Sequence, residues 1–118
     1  MNRSGVVVWC MLLAGLAIDS VAADWEPLQG SYAITARNYL DPSDAEPRDS
    51  HMRFQLSGDA ARDLYFAMKV AEKRDACTGA TARTVGGMQC LFYQDDQRYA
   101  CSFSIDVARQ KIEYGVAC

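Results

Sequence analysis

The spacing of the cysteines indicates whether they form a metal site, a redox site or structural disulfides. Four of the five cysteines lie late in the chain, at Cys77, Cys90, Cys101 and Cys118. They are separated by 13, 11 and 17 positions, whereas zinc sites and dithiol redox sites use close pairs such as C-x-x-C. The spacing therefore argues against a metal or redox centre and favours two structural disulfides.

The only histidine, His51, follows Asp49 and Ser50 in the segment RDSHMRF. These residue types form catalytic triads, but triads are assembled from distant chain positions. Successive residues of a strand also point to opposite faces. The pattern favours a solvated histidine at the start of a strand. We therefore expect a protein that is not an enzyme and has no catalytic residue, metal ligand or cofactor.

Acidic residues cluster in the segment LDPSDAEPRDS, and the carboxylates concerned are Asp41, Asp44, Glu46 and Asp49. Their spacing lacks the glycine and the distal glutamate of a calcium loop, and the two prolines indicate an exposed loop. Because complementary charge supplies specificity and association rate, we expect this loop to contact a basic cleft of a protein partner. Arg83, at the tip of a glycine-bounded flexible loop predicted over residues 77–87, is the fifth expected partner-binding residue.

The N-terminus has the layout of a secretory signal peptide. Arg3 precedes an apolar run at residues 6–18, and small residues end at Ala23. The run is too short for a membrane span. We predict cleavage after Ala23, a periplasmic or secreted location and no stable membrane association.

The remaining residues, 24–118, are predicted to form one small domain stabilised by disulfides. The net charge of −3 argues against binding to nucleic acid or to an anionic membrane surface.

Hydrophobic periodicity predicts the order of the elements. Residues 31–39 and 51–56 alternate apolar and polar types, which indicates strands. Residues 59–73 place apolar side chains at helical spacing, and Ser57 or Asp59 is suited to cap that helix. A three-stranded meander is predicted after the loop at residues 77–87.

The first hairpin of the meander has a register that the sequence predicts. A four-residue loop at residues 94–97 places Cys90 opposite Cys101 and Phe92 opposite Tyr99. A shift by one residue would invert a whole strand, so the agreement of these pairs favours this register.

A second loop at residues 108–111 would place Cys101 opposite Cys118. It would also place Asp106 opposite Glu113, which is unfavourable because both are acidic. The favoured disulfides are then Cys77–Cys90 with Cys101–Cys118. The alternative is Cys90–Cys101 with Cys77–Cys118.

The predicted fold class is α+β, with one helix packed on a mostly antiparallel sheet in the order ββαβββ, a C-terminal meander and two disulfides. The predicted function is that of an exported, non-enzymatic protein-binding module, an inhibitor or immunity protein against a cell-envelope hydrolase or secreted toxin. A homodimer remains open. The alternative is a small-ligand carrier with a pocket between helix and sheet, lined by Tyr65, Met68, Phe92 and Tyr114.

Overall fold

The computed structural model describes residues 23–116, in which one helix lies on a sheet of seven strands. In chain order the elements are β1 (Gly30–Thr35), β2 (His51–Ser57), α1 (Gly58–Ala67), β3 (Lys73–Arg74), β4 (Thr81–Val85), β5 (Met88–Tyr93), β6 (Arg98–Asp106) and β7 (Lys111–Glu113). Every strand pairing is antiparallel. The spatial order is β1-β2-β6-β5-β4-β3, with β7 beside β6. The predicted α+β class, one helix on an antiparallel sheet, is confirmed.

Two predicted features fall mainly on residues that the structure does not describe. The signal peptide over residues 1–23 lies outside the described range except for Ala23, and Cys118 lies outside it as well. Among residues 23–116, no helix combines the length and the apolar character needed to cross a bilayer.

The segment predicted as a flexible loop, residues 77–87, contains a strand instead. β4 pairs with β5 through Arg83 opposite Cys90, and the short β3 adds to its other side. A two-residue turn of Gly86 and Gly87 joins β4 to β5, with Gly86 at a φ of 56°. Two glycines between strands are a hairpin signal. The observed order therefore has two more strands than the predicted ββαβββ.

The helix is shorter than the predicted range 59–73. It spans Gly58–Ala67, and Met68 leaves it with an extended backbone while its N–H still bonds the carbonyl of Leu64. Ser57 occupies the N-cap position without a side-chain cap bond. The amide of Asp59 donates instead to the side-chain oxygen of Gln29. A distant residue thus supplies the cap that the sequence assigned to Ser57 or Asp59.

The first hairpin of the meander has the predicted register. Cys90 lies opposite Cys101 and Phe92 lies opposite Tyr99. The two cysteines form a disulfide with a Cα–Cα distance of 4.0 Å, because directly opposed residues on antiparallel strands come close enough to bond.

The structure describes one disulfide, Cys90–Cys101, where two were predicted. The favoured pairing Cys77–Cys90 is therefore wrong, and the observed bond is the one in the alternative pairing. Cys77 is disulfide-bonded as well.

The second hairpin is shifted by two residues from its predicted register. Ile105 lies opposite Ile112 and Asp106 opposite Lys111, so the loop covers residues 107–110 rather than 108–111. A shift by two keeps every side chain on its face. It also replaces the predicted Asp106–Glu113 like-charge pair by an acid–base pair, which is the physical reason for preferring it.

The core lies between the helix and one end of the sheet. Ala61, Tyr65 and Met68 of the helix segment bury against Cys90 and Cys101. Leu56 completes the buried cluster, with Phe92 and Tyr99 packed at its side. The helix covers only this end, and within residues 23–116 no other element covers the same face of the sheet beyond it.

Candidate functional site

The predicted acidic loop is exposed, but its four carboxylates do not play the same part. Asp41, Asp44 and Asp49 are exposed to solvent. Glu46 is half-buried, and its two oxygens accept hydrogen bonds from the amides of Asn38 (2.7 Å) and Ser43 (3.3 Å). Glu46 thus holds the loop together, which leaves three aspartates free to face a partner.

Arg83 lies on β4 rather than at the tip of a flexible loop. Its guanidinium donates to the carbonyls of Tyr65 (3.3 Å) and Met68 (3.1 Å) and to a carboxylate oxygen of Glu72 (3.1 Å). These contacts satisfy carbonyls at the end of the helix, where no following turn can reach them. They stabilise the chain where it leaves the helix, before its predicted boundary. Contact of Arg83 with a partner stays a prediction.

His51 is buried, with 2% of its surface exposed, so the expectation of a solvated histidine is wrong. It begins β2 and lies opposite Asp106 of β6. Its Nε2 is 3.1 Å from Oε2 of Glu113 and 3.7 Å from Oδ2 of Asp106. Its Nδ1 is 2.8 Å from the hydroxyl of Ser50. Residues from the starts and ends of three strands therefore converge on one imidazole ring.

Two arginines and a backbone amide in a turn contact the two carboxylates of this cluster. Arg37 is 3.7 Å from Oε1 of Glu113, and Arg109 is 3.8 Å from Oδ2 of Asp106. The amide of Arg109 donates to Oδ1 of Asp106 at 3.1 Å. This amide bond, followed by the nearby positive groups, lowers the pKa of Asp106 below its ordinary value despite burial. Asp106 is therefore a carboxylate at neutral pH.

The cluster was missed at the level of the sequence because its members are far apart in the chain. The ring nitrogen of His51 and carboxylate oxygens of Asp106 and Glu113 all lie within 4.8 Å of one another. Ser50 is adjacent to His51 in the sequence, but Asp49 is exposed, and the acids that face the ring come from β6 and β7. One signal was available, namely the predicted closeness of Asp106 and Glu113 on neighbouring strands.

A groove of about 1020 Å³ lies on the face of the sheet opposite the helix. Its lining includes Tyr39, Tyr93 and Tyr114, together with the guanidinium of Arg53. Arg53 is held in place, because it lies 4.2 Å from the ring centroid of Tyr39 and donates to the carbonyl of Gly115.

This groove is not the pocket that the ligand-carrier alternative predicted. Tyr65 and Met68 belong to the core under the helix, and Phe92 packs against them. Tyr114 is exposed and lines the groove on the other side of the sheet. The four residues therefore do not enclose a common cavity.

An apolar surface continues the core face of the sheet beyond the helix, and we call it the open apolar strip. It consists of two cross-strand rows, Tyr32–Phe54–Phe103 and Ile34–Met52–Ile105–Ile112. The rings of Phe54 and Phe103 stack with centroids 4.8 Å apart. Tyr32, Ile34 and Ile112 are 68%, 53% and 50% exposed. Contiguous apolar surface of this kind marks interaction sites in soluble proteins.

Over residues 23–116, the fold and these surfaces define a disulfide-bonded α+β protein with an apolar sheet face beyond the helix and a partly buried His–Asp–Glu cluster. Comparisons with protein-family models, with curated proteins and with solved structures give no match to this chain.

Proposed function

We propose that this protein is a protein-binding module and that its partner docks on the open apolar strip. The exposure of Tyr32 and Ile34 on a continuous sheet face is the observation that carries the proposal. Burying such side chains in a partner is favourable by about 25 cal/mol per Å² of apolar surface. Aromatic residues at the centre of a contact are also the common hot spots of protein interfaces.

The edge of the sheet at β1 indicates how the partner pairs. Within the described residues β1 pairs only with β2, so its outer edge keeps unpaired amides and carbonyls. Exposed edges are usually protected by charged residues or proline, yet the β1 sequence GSYAIT contains neither. We infer that an extended segment of the partner adds to this edge and places apolar side chains on the strip.

The charge of the loop that follows β1 favours a partner that carries basic residues. Asp41, Asp44 and Asp49 follow β1 in the chain and are exposed, and the net charge is −3. A basic partner is attracted by these groups, whereas a second acidic copy gains nothing from them.

The partner that we propose is a cell-envelope hydrolase or a secreted toxin, for which this chain acts as an inhibitor or immunity protein. The predicted signal peptide supports export, and the Cys90–Cys101 disulfide is compatible with an oxidising compartment.

The test begins with capture of partners on oxidised protein and continues with the purified partner. Its affinity is measured for the wild type, for Ile34→Lys and for Ser31→Lys. Both substitutions add a lysine to exposed positions of β1, but Ser31 points to the opposite face of the sheet. We expect Ile34→Lys to weaken binding about tenfold or more, which corresponds to about 1.4 kcal/mol, and Ser31→Lys to change it much less.

Activity of the captured partner is measured in the same samples. Inhibition by the wild type that is reduced by Ile34→Lys supports the inhibitor proposal. Equal affinity of the two variants would show that the strip is not the interface. A dimer of this chain that Ile34→Lys dissociates, with no other partner, would replace the proposal by self-association.

The groove supports a second candidate, a carrier of a small ligand. Its volume of about 1020 Å³ lies at the upper end of the range for ligand sites, and its tyrosines and guanidinium suit an aromatic or anionic compound. Native mass spectrometry of purified protein tests this candidate. A bound molecule that is lost on Leu91→Trp, which fills the groove, would favour the carrier.

A further inference from the structure

We propose that His51, Asp106 and Glu113 form a binding site for one zinc-class divalent cation. The site goes beyond the proposed function, because it uses neither the open apolar strip nor a protein partner. It also departs from the sequence-based expectation that the chain has no metal ligand.

The distances within the cluster fit a shared ion. Zinc binds imidazole nitrogen and carboxylate oxygen at about 2.0–2.2 Å, so two ligands of a tetrahedral ion are roughly 3.4 Å apart. The Nε2 atom of His51 is 3.1 Å from Oε2 of Glu113 and 3.7 Å from Oδ2 of Asp106. All three atoms lie within 4.8 Å of one another. Small side-chain rotations are enough to bring them around one ion.

A second observation is that each ligand is oriented by a contact on its other polar atom. Nδ1 of His51 faces the hydroxyl of Ser50 at 2.8 Å, and Oδ1 of Asp106 accepts from the amide of Arg109. Oε1 of Glu113 faces Arg37 at 3.7 Å. Such outer contacts are what fix metal ligands in proteins. They leave Nε2 of His51 and Oε2 of Glu113 turned toward a common centre, and Oδ2 of Asp106 faces the same centre while lying 3.8 Å from Nε of Arg109.

The tautomer of His51 decides whether Nε2 can serve as a metal ligand. With Nδ1–H donating to the hydroxyl of Ser50, Nε2 presents its lone pair to the two carboxylates. A cation bound between these three groups would then be held by one nitrogen and two oxygens.

The framework suits a three-ligand site with an open fourth position. The ligands come from β2, β6 and β7, and these strands are neighbours in the sheet. His51 and Asp106 are buried, while the side chain of Glu113 is 31% exposed. An ion can therefore enter, and hold a water molecule, on the side of Glu113. One nitrogen and two oxygens favour zinc, because calcium and magnesium prefer oxygen ligands alone.

The experiment titrates Zn²⁺ into purified oxidised protein by calorimetry after removal of metals by chelator. The oxidised state keeps the cysteines from competing. Absorption of the Co²⁺ complex reports the ligand geometry. We expect one Zn²⁺ per chain in the wild type and no binding of Ca²⁺ or Mg²⁺ at the same concentrations. Glu113→Gln, which keeps the side-chain shape, should weaken Zn²⁺ binding tenfold or more.

Asp96→Asn is the matched control, since it removes a carboxylate from an exposed pair with Arg98. It should bind Zn²⁺ as the wild type does. Circular dichroism of all variants shows that they fold. Wild type and Glu113→Gln binding Zn²⁺ equally would overturn the proposal, and so would a wild type that does not bind.

Discussion

The guanidinium of Arg83 lies over the ring of Tyr65, with its central carbon 4.6 Å from the ring centroid. The Tyr65 hydroxyl donates to Oε1 of Glu72 at 2.9 Å, and the same oxygen accepts from Arg83 at 3.1 Å. The strand β4, the helix and the segment after it are joined at this point. These contacts hold together three elements whose proximity cannot be predicted from their sequences.

Removal of Arg83 should destabilise the fold. The change Arg83→Ala breaks the bonds to the helix-end carbonyls and to Glu72, and hydrogen bonds to charged groups contribute about 1.5–3 kcal/mol each at most. We expect the free energy of unfolding to fall by about 2–3 kcal/mol in total, measured by urea denaturation.

Arg98→Ala is the control for this prediction. Arg98 forms an exposed pair with Asp96, and such pairs contribute less than about 1 kcal/mol. Equal losses of unfolding free energy in the two variants would contradict this prediction, because the contacts of Arg83 would then contribute no more than an exposed ion pair.

Tyr65 should make stability fall in alkaline solution. Burial, together with the hydrogen bond to Glu72, raises the pKa of Tyr65 from 10.0 to about 12. The unfolded chain therefore ionises first as the pH rises. The contribution of Tyr65 is complete below about pH 10 and is lost as the pH rises toward 12, for a total of about 2–3 kcal/mol.

Urea denaturation of the wild type and of Tyr65→Phe, carried out from about pH 9 to 12, checks this prediction. The variant is less stable at neutral pH because it lacks the bond to Glu72, but its stability should fall less steeply with pH. Tyr32→Phe, at a position that is 68% exposed, should follow the wild-type slope. Identical slopes for Tyr65→Phe and wild type would contradict the raised pKa.

The disulfide can be tested directly by peptide mapping under non-reducing conditions. We expect a peptide pair linked through Cys90 and Cys101. The double change Cys90→Ala with Cys101→Ala should lower the free energy of unfolding by about 3 kcal/mol, because the unfolded chain is then no longer cross-linked. A map that links Cys77 to Cys90 would show the register of the first hairpin to be wrong.

The acidic loop should govern the rate at which the proposed partner binds. The triple change of Asp41, Asp44 and Asp49 to Asn removes three exposed charges and leaves the loop-closing Glu46 in place. We expect the association rate to fall about tenfold at low salt, with less effect at high salt, since charge steers the encounter. Stopped-flow binding at two ionic strengths measures this.

An equal loss of charge elsewhere provides the control for the loop. The exposed aspartates changed to Asn in that variant are Asp63, Asp95 and Asp96. If this variant slows association as much as the loop variant does, net charge and not the loop is responsible.

The sequence by itself was sufficient to determine the fold class, the position of the helix start and the register of the first hairpin. These follow from local periodicity, because a period of two assigns each strand residue to a face and a helical period identifies one buried side. The placement of Cys90 opposite Cys101 is a consequence of the same alternation, although the sequence favoured Cys77–Cys90 as the disulfide. The same alternation does not reveal the two-residue shift of the second hairpin, because a shift by two leaves every side chain on the same face of the sheet.

Only the tertiary structure decided the features that depend on distant partners. Residues 81–85 form a strand beside β5, and Arg83 from that strand bonds the carbonyls of Tyr65 and Met68 where the helix ends. His51 is buried because β6 and β7 bring Asp106 and Glu113 to it across more than fifty residues of chain. Local propensity contains no information on such long-range contacts, and they create both the open apolar strip and the proposed cation site.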